Sequence, residues 1–214
     1  RTHGTSRPDN NKIYYIWRWT DQKMSRKKNE QETEQKNVWK ELLEMVLYLV
    51  IALVAALLIV KFVGQRTQVD GSSMNPTLYD KENLILDKIS YHFRDPERFD
   101  IIVFPFEEDG EETHFIKRII GLPGETVQII DGYVYINGEL LESDIYGKEV
   151  MEYAGRAAEP ITLGDDEYFV LGDNRNNSRD SRFEEVGNIK RGDITGRAFL
   201  RIWPLNKFGL LKHQ

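Results

Sequence analysis

Two short stretches, far apart in the chain, hold residue types that can do chemistry. Residues 71–78 read Gly-Ser-Ser-Met-Asn-Pro-Thr-Leu, and residues 117–125 read Lys-Arg-Ile-Ile-Gly-Leu-Pro-Gly-Glu. A serine becomes a nucleophile only when a base takes its proton. A lysine desolvated among apolar side chains can be that base, because burial favours the neutral amine. Strand alternation puts Phe115, Lys117 and Ile119 on one face and Ile116, Arg118 and Ile120 on the other. Together the two stretches suggest a Ser–Lys hydrolase. Each half has a plainer reading when taken alone. Gly, Ser, Asn and Pro dominate turns for backbone reasons, and a strand lysine is ordinarily exposed at an edge.

A third polar stretch, residues 172–182, reads Gly-Asp-Asn-Arg-Asn-Asn-Ser-Arg-Asp-Ser-Arg directly after the apolar run Tyr168–Leu171. It is either a solvated loop or a hydrogen-bonded scaffold whose hydroxyls and carboxylates orient a neighbouring amine. Asp180 and Arg182, two apart, can pair locally. The lack of Gly-x-x-x-x-Gly-Lys with a following helix argues against a phosphate-binding loop. A Ser–His–Asp triad of Ser73, His114 and Asp173 or Asp180 is formally open. His114, however, faces opposite Lys117 on an alternating strand, so the two cannot readily serve one serine.

The elements that must position these residues follow from hydropathy. Leu42 to Val63 is 22 residues with charges only at Glu44 and Lys61, a reach of roughly 33 Å that suffices for a hydrocarbon layer of ~30 Å. Val60-Lys61-Phe62-Val63 makes a poor cleavage site, so the run is expected to be an uncleaved transmembrane anchor over residues 42–63 rather than a leader or a core helix. Five basic side chains in residues 26–40 against two in 61–80 put the N-terminus in the cytoplasm and residues 64–214 outside. Residues 1–41 are expected to be cytoplasmic and mostly disordered. Within them Met24-Ser-Arg-Lys-Lys resembles a bacterial start, which marks residues 1–23 as a candidate upstream extension. Ser73 then lies about ten residues beyond the anchor, close to the bilayer surface. Met74, apolar in a polar turn, suits contact with lipid or an apolar substrate.

Residues 64–214 read as β-rich: 83–86, 101–106, 114–120, 126–130, 133–136, 168–171 and 198–203 are short runs rich in β-branched or aromatic residues. Asp131-Gly132 and Asn137-Gly138 signal hairpin turns, and residues 142–160 read as a loop or insertion. The net charge of −6 argues against nucleic acid as a main partner. There are no cysteines, and the four histidines lack metal-ligand spacing, so neither a metal nor a cofactor is expected.

In this order behind one anchor, these segments resemble the bacterial type I signal peptidases, over roughly residues 42–205. Ser73-Met74-Asn75-Pro76-Thr77-Leu78 is similar to the family's serine box, and Lys117 through Glu125 to its lysine box. Gly172-Asp173-Asn174-Arg175 through Ser178-Arg179-Asp180-Ser181-Arg182 is similar to its last box. Arg98-Phe99-Asp100-Ile101-Ile102-Val103-Phe104 resembles its Arg-Gly-Asp strand with Phe99 replacing glycine, an exchange that implies altered turn geometry. The resemblance implies an antiparallel, mainly β domain of the Gram-positive-like short form, with Ser73 as nucleophile and Lys117 as general base, and ranks lysine over His114. It further implies that Ser178 hydrogen-bonds the lysine, that Asp180 and Arg182 pair, and that Asp173 supports the site.

The Ser73 backbone N–H would serve the oxyanion. Where some members add a serine hydroxyl two residues earlier this chain has Gly71, which leaves the second donor open. The implied partners are the lipid bilayer and preproteins with small residues one and three positions before the cut. The substrate would bind extended against a sheet edge, near Asp100–Phe104 or after Leu78. The competing readings are a self-cleaving repressor of the LexA type and a non-catalytic, membrane-tethered β module. The anchor and the absence of a helix-turn-helix argue against the first. Oligomeric state has no signature in the sequence.

Overall fold

The computed structural model describes residues 18–19, 23–24, 39–55, 64–108, 110–147 and 149–211. The chain divides into two units, Arg1–Leu57 and Leu58–Gln214. In the first, residues 39–55 form a helix, α1, whose leucines, isoleucine and valines are largely exposed. Among the described residues no helix is long and apolar enough to cross a membrane. The expected anchor over 42–63 is described only to residue 55, and most of residues 1–41, the candidate extension included, lies outside the described residues.

The second unit is mainly β and antiparallel. Its strands are β1 (Gly64–Gln68), β2 (Asn83–Asp87), β3 (Ile101–Glu108), β4 (Glu111–Gly121), β5 (Thr126–Ile130), β6 (Tyr133–Ile136), β7 (Glu139–Leu140), β8 (Ile161–Thr162), β9 (Glu167–Leu171), β10 (Ile189–Lys190), β11 (Gly196–Trp203) and β12 (Gly209–Leu210). All seven runs read from the sequence are strands. The five it missed are β1, which is polar, and four two-residue strands, because side-chain patterning is silent where only backbone ladders hold a pair. A short helix, α2 (Ser90–Phe93), follows β2.

The larger sheet runs β1-β2-β11-β3-β4-β9-β10, with β12 on β11, and the smaller runs β7-β6-β5-β8. The two hairpin signals on the smaller sheet are real turns: Asp131 and Gly132 have φ of 50° and 82°, Asn137 and Gly138 of 52° and 84°, the pairing that a two-residue I′ connection needs. β3 is buried on both faces. Ile101 and Val103 join Met74, Leu78, Leu84 and Ile116 in one cluster, while Ile102 and Phe104 join Ile119, Tyr168 and Val170 in another. A third cluster, with Phe99, Val127, Val134, Met151 and Phe169, ties the sheets together.

Ladder partners decide where an extended substrate could add. β3 is paired by β4 and by β11, and β2 by β1 and β11. The edges expected near Asp100–Phe104 and after Leu78 are therefore occupied. β4 differs: β9 pairs with it only from Arg118 to Gly121, while residues 111–117 pair with β3 alone. An open edge thus lies on the strand that carries Lys117, on the side of Ser73.

Candidate active site

Ser73 sits in a long excursion, residues 69–82, between β1 and β2. The ladder continues into its base, where Val69 N–H donates to the Glu82 carbonyl and Lys81 N–H to that of Val69, both at 2.8 Å. Met74 and Leu78 fix the excursion by insertion into the core, at 1% and 0% exposure. Met74 therefore does not face lipid. Its burial against Leu84, Ile101 and Ile116 is what holds the turn over the sheet. Gly71 adopts φ +85°, a conformation in which a side chain is strained, and its N–H donates to Asp80 at 3.0 Å. The N–H of Ser73 makes no hydrogen bond among the described residues.

Lys117 is the side chain that meets Ser73. Its Nζ lies 2.9 Å from Ser73 Oγ, donates to the Ile116 carbonyl at 3.0 Å, and stands 4.6 Å over the Phe115 ring. The residue is 4% exposed. Burial pulls its pKa from 10.5 down to about 8, against the opposing pull of Asp180 and then Asp173. At pH 7 roughly one amine in ten is then neutral, against about three in ten thousand for an ordinary lysine. Val69–Met74 and His114–Lys117 line a cleft of about 260 Å³ around the pair, with Asn177, Arg179 and Glu108 at its rim. His114 lines the cleft, but the contact with Ser73 Oγ is made by Lys117.

The loop after β9 clamps the serine turn. Asn174 N–H donates to the Ser73 carbonyl at 3.0 Å, its side-chain amide to the Ser72 carbonyl at 3.1 Å, and the Asn177 amide to Ser72 Oγ at 3.0 Å. Gly172 makes this approach possible: a Cβ there would overlap Ser178 Oγ and come within 2.5 Å of the Ser73 carbonyl oxygen. Asp180 and Arg182 pair at 2.8 Å with both side chains buried. Arg182 also donates to the carbonyls of Arg175, Ser178 and Tyr153. Neither Asp180 nor Asp173 turns toward a histidine; each is bound to an arginine.

One feature departs from the reading of the sequence. Ser178 Oγ is buried without a hydrogen-bond partner, so the expected bond to Lys117 is not made. It packs instead against the Cα of Gly172, and the amine satisfies itself on Ser73 and a backbone carbonyl. Phe99 adopts φ +70°, a left-handed backbone that glycine takes freely and a side chain finds strained. Its ring is buried in the core and its carbonyl accepts from Arg118 at 2.9 Å.

Sequence reasoning missed the arginines beneath the site. Arg118 donates two parallel bonds to Asp173, at 2.8 and 2.6 Å, with both side chains fully buried, and lies 3.5 Å over the Tyr146 ring. Arg175 pairs with Asp144 at 2.7 Å. Asp144, Tyr146 and Tyr153 come from residues 142–160, so that loop packs onto the site. A signal for Arg118 existed: an arginine inside an apolar strand needs a buried carboxylate, and Asp173 is an acid at the end of another apolar strand.

Comparison with known proteins identifies the family. The family described as signal peptidase, peptidase S26, matches residues 42–203. A probable signal peptidase I-2 from Synechocystis is 44% identical over 70% of this chain and 68% of its own. A signal peptidase I from Leptolyngbya laminosa is 46% identical over 70% and 74%, and one from Bacillus amyloliquefaciens 36% identical over 70% and 82%. A solved signal peptidase I from Enterococcus faecalis is 38% identical over 49% of this chain and 97% of its own, with a TM-score of 0.39. These relatives do not favour the binding-module reading. The chain belongs to the signal peptidase S26 family, and it is a serine endopeptidase that removes signal peptides.

Proposed function

We propose that this chain cuts preproteins with a Ser73–Lys117 dyad at a membrane surface. The observation that carries the reading is the 2.9 Å approach of a buried lysine amine to Ser73 Oγ. Neutral Lys117 takes the Ser73 proton as Oγ attacks the carbonyl carbon before the cut. The developing oxyanion lies against the Ser73 N–H. On collapse the Lys117 ammonium returns its proton to the leaving amine, which is the new N-terminus of the mature protein. Lys117 then deprotonates a water that hydrolyses the acyl-enzyme and frees the signal peptide. Asp180–Arg182 and Arg118–Asp173 hold the loop that clamps Ser72 and Ser73, and Ser178 fills the space over Gly172.

The substrate adds as a strand to the open edge of β4, residues 111–117, facing Val69–Ser73. A cleft of about 260 Å³ that also holds the catalytic pair suits small residues one and three positions before the cut. The anchor over residues 42–63, with the N-terminus cytoplasmic and residues 64–214 extracytoplasmic, rests on hydropathy and on the basic flank. The exposed apolar side chains of α1 support it, since such a surface needs an apolar surrounding. The test is cleavage of an Ala-x-Ala preprotein in detergent by wild type, Ser73→Ala and Lys117→Met. Wild type alone should cut. Cleavage by Lys117→Met at the wild-type rate would refute the base.

A further inference from the structure

Beyond the catalytic pair, a line of stacked groups leads from the amine to the rim of the cleft. Lys117 Nζ stands 4.6 Å over the Phe115 ring. Phe115 stacks on Phe106 with centroids 4.3 Å apart and planes 23° from parallel. The Arg179 guanidinium lies 5.1 Å over Phe106. Arg179 itself bridges separate parts of the fold: it donates to Glu108 at the end of β3 at 2.5 Å and to Glu185 at 3.0 Å. It lines both the Ser73 cleft and a neighbouring cavity of about 340 Å³ that Phe104, Phe106 and Val186 also line. Arg179 thus stands between the catalytic amine and a second space open to solvent.

We propose that Arg179 is a positioning residue for Lys117: clasped to Glu108 across the rim, it holds Phe106 against Phe115 so that the aromatic pair keeps water from the amine. The clasp and the stack act in series. A guanidinium over an aromatic face holds it by attraction to the ring quadrupole, and two carboxylates on separate segments fix where that guanidinium sits. Phe106 can then rotate away from Phe115 only by breaking the clasp or leaving the cation. The inference rests on Lys117 being the base.

The other charged groups near Lys117 are accounted for. The loop after β9 presents Asp173 and Asp180, bound to Arg118 and Arg182. The serine excursion presents Asp70 at the cleft, paired with Lys81. β4 presents His114 at the cleft, and β3 presents Glu108. Of these groups only Glu108 changes its pairing when the clasp is cut. In Glu108→Gln the loss of its charge alone would lower the pKa of Lys117, so a rise in that variant reports hydration.

The experiment measures kcat against pH from 6 to 10.5 for the full chain in detergent, with an Ala-x-Ala preprotein, in Arg179→Ala and Glu108→Gln. Both positions are close to half exposed, so folding should survive, and a thermal melt checks it. Wetting the amine should raise the basic limb by about 0.5–1 unit in both variants. Activity at pH 7 would fall roughly three- to tenfold and recover above pH 10. Glu108→Gln separates the clasp from simple electrostatics, because unpairing Arg179 leaves a more positive rim that by charge alone would lower the limb. A limb that moves down in Glu108→Gln, or stays put in Arg179→Ala, overturns the proposal while leaving the dyad intact. Cleavage by a parallel Lys117→Met sample would instead condemn the dyad reading itself.

Discussion

Adding one methyl group at Gly172 tests how the loop after β9 controls the nucleophile. In Gly172→Ala the new Cβ overlaps Ser178 Oγ and lies 2.5 Å from both Ser178 Cβ and the Ser73 carbonyl oxygen. The Ser178 side chain can turn, but the Ser73 carbonyl is backbone and already accepts the Asn174 N–H at 3.0 Å. Restoring an ordinary contact requires a retreat of roughly 0.9 Å, and Ser73 moves with its carbonyl. An error of ~1 Å in the attacking atom costs about 10²-fold, so kcat should fall some 30- to 100-fold. KM should change less than kcat, because the groups the new Cβ meets are Ser178 and the Ser73 carbonyl and not the β4 side of the cleft. Overpacking of this kind costs about 1–3 kcal/mol, a drop of several degrees in Tm. The assay is steady-state cleavage of an Ala-x-Ala preprotein beside a circular dichroism melt. Gly192→Ala, where a Cβ would meet nothing within 4 Å, serves as the neutral control. A kcat within threefold of wild type would refute the claim that Gly172 sets the position of Ser73.

Three further outcomes follow from the buried charges and the strained turn. Holding the Lys117 pKa at about 8 instead of 10.5 costs the fold roughly 3 kcal/mol wherever the lysine is protonated. The unfolded chain binds the extra proton between about pH 8 and 10.5, so this penalty is full below pH 8 and fades as pH rises. Lys117→Met, though inactive, should therefore melt higher than wild type at pH 7, by less than the full penalty because two hydrogen bonds are lost, and the gain should shrink toward pH 10.5. Asp173→Asn leaves Arg118 unpaired in the core and should cost about 3–5 kcal/mol. Pairing it with Arg118→Met should recover much of that, read as a coupling energy in denaturant titrations. Phe99→Gly relieves a positive φ worth about 1 kcal/mol but empties a core site worth about 3–5, so its net effect in the same titration should be destabilising by 2 kcal/mol or more.

How much was legible depended on sequence separation. Ser73 announced itself through turn chemistry after an apolar run, Lys117 through its apolar strand neighbours, and Asp180 with Arg182 through adjacency. The sheet's longer strands showed in their β-branched runs, and both I′ turns in their dipeptides. What stayed hidden were pairings whose two halves carry no mutual mark. Arg118 and Asp173 are 55 residues apart, and Arg175 and Asp144 are 31 apart. Met74 misled because its hydrophobicity fits lipid as well as core, and only the tertiary fold puts it under the turn. Which edges are free was not legible because it belongs to sheet order, and β11, from the far end of the chain, covers β2 and Ile102–Val103 of β3. Arg179 looked like one more polar loop residue until the stack beneath it could be seen.

The most direct test of the dyad is the pH dependence of kcat/KM for wild type on one Ala-x-Ala preprotein, with Ser73→Ala and Lys117→Met as blanks. Cleavage requires the neutral amine, so activity should be low at pH 6, rise tenfold per unit, and level off with a basic limb near the Lys117 value of about 8. Both blanks should stay inactive at every pH. A limb at the ordinary imidazole value of about 6.5, or a Lys117→Met enzyme that cuts with the wild-type profile, would contradict the assignment of Lys117 as the base.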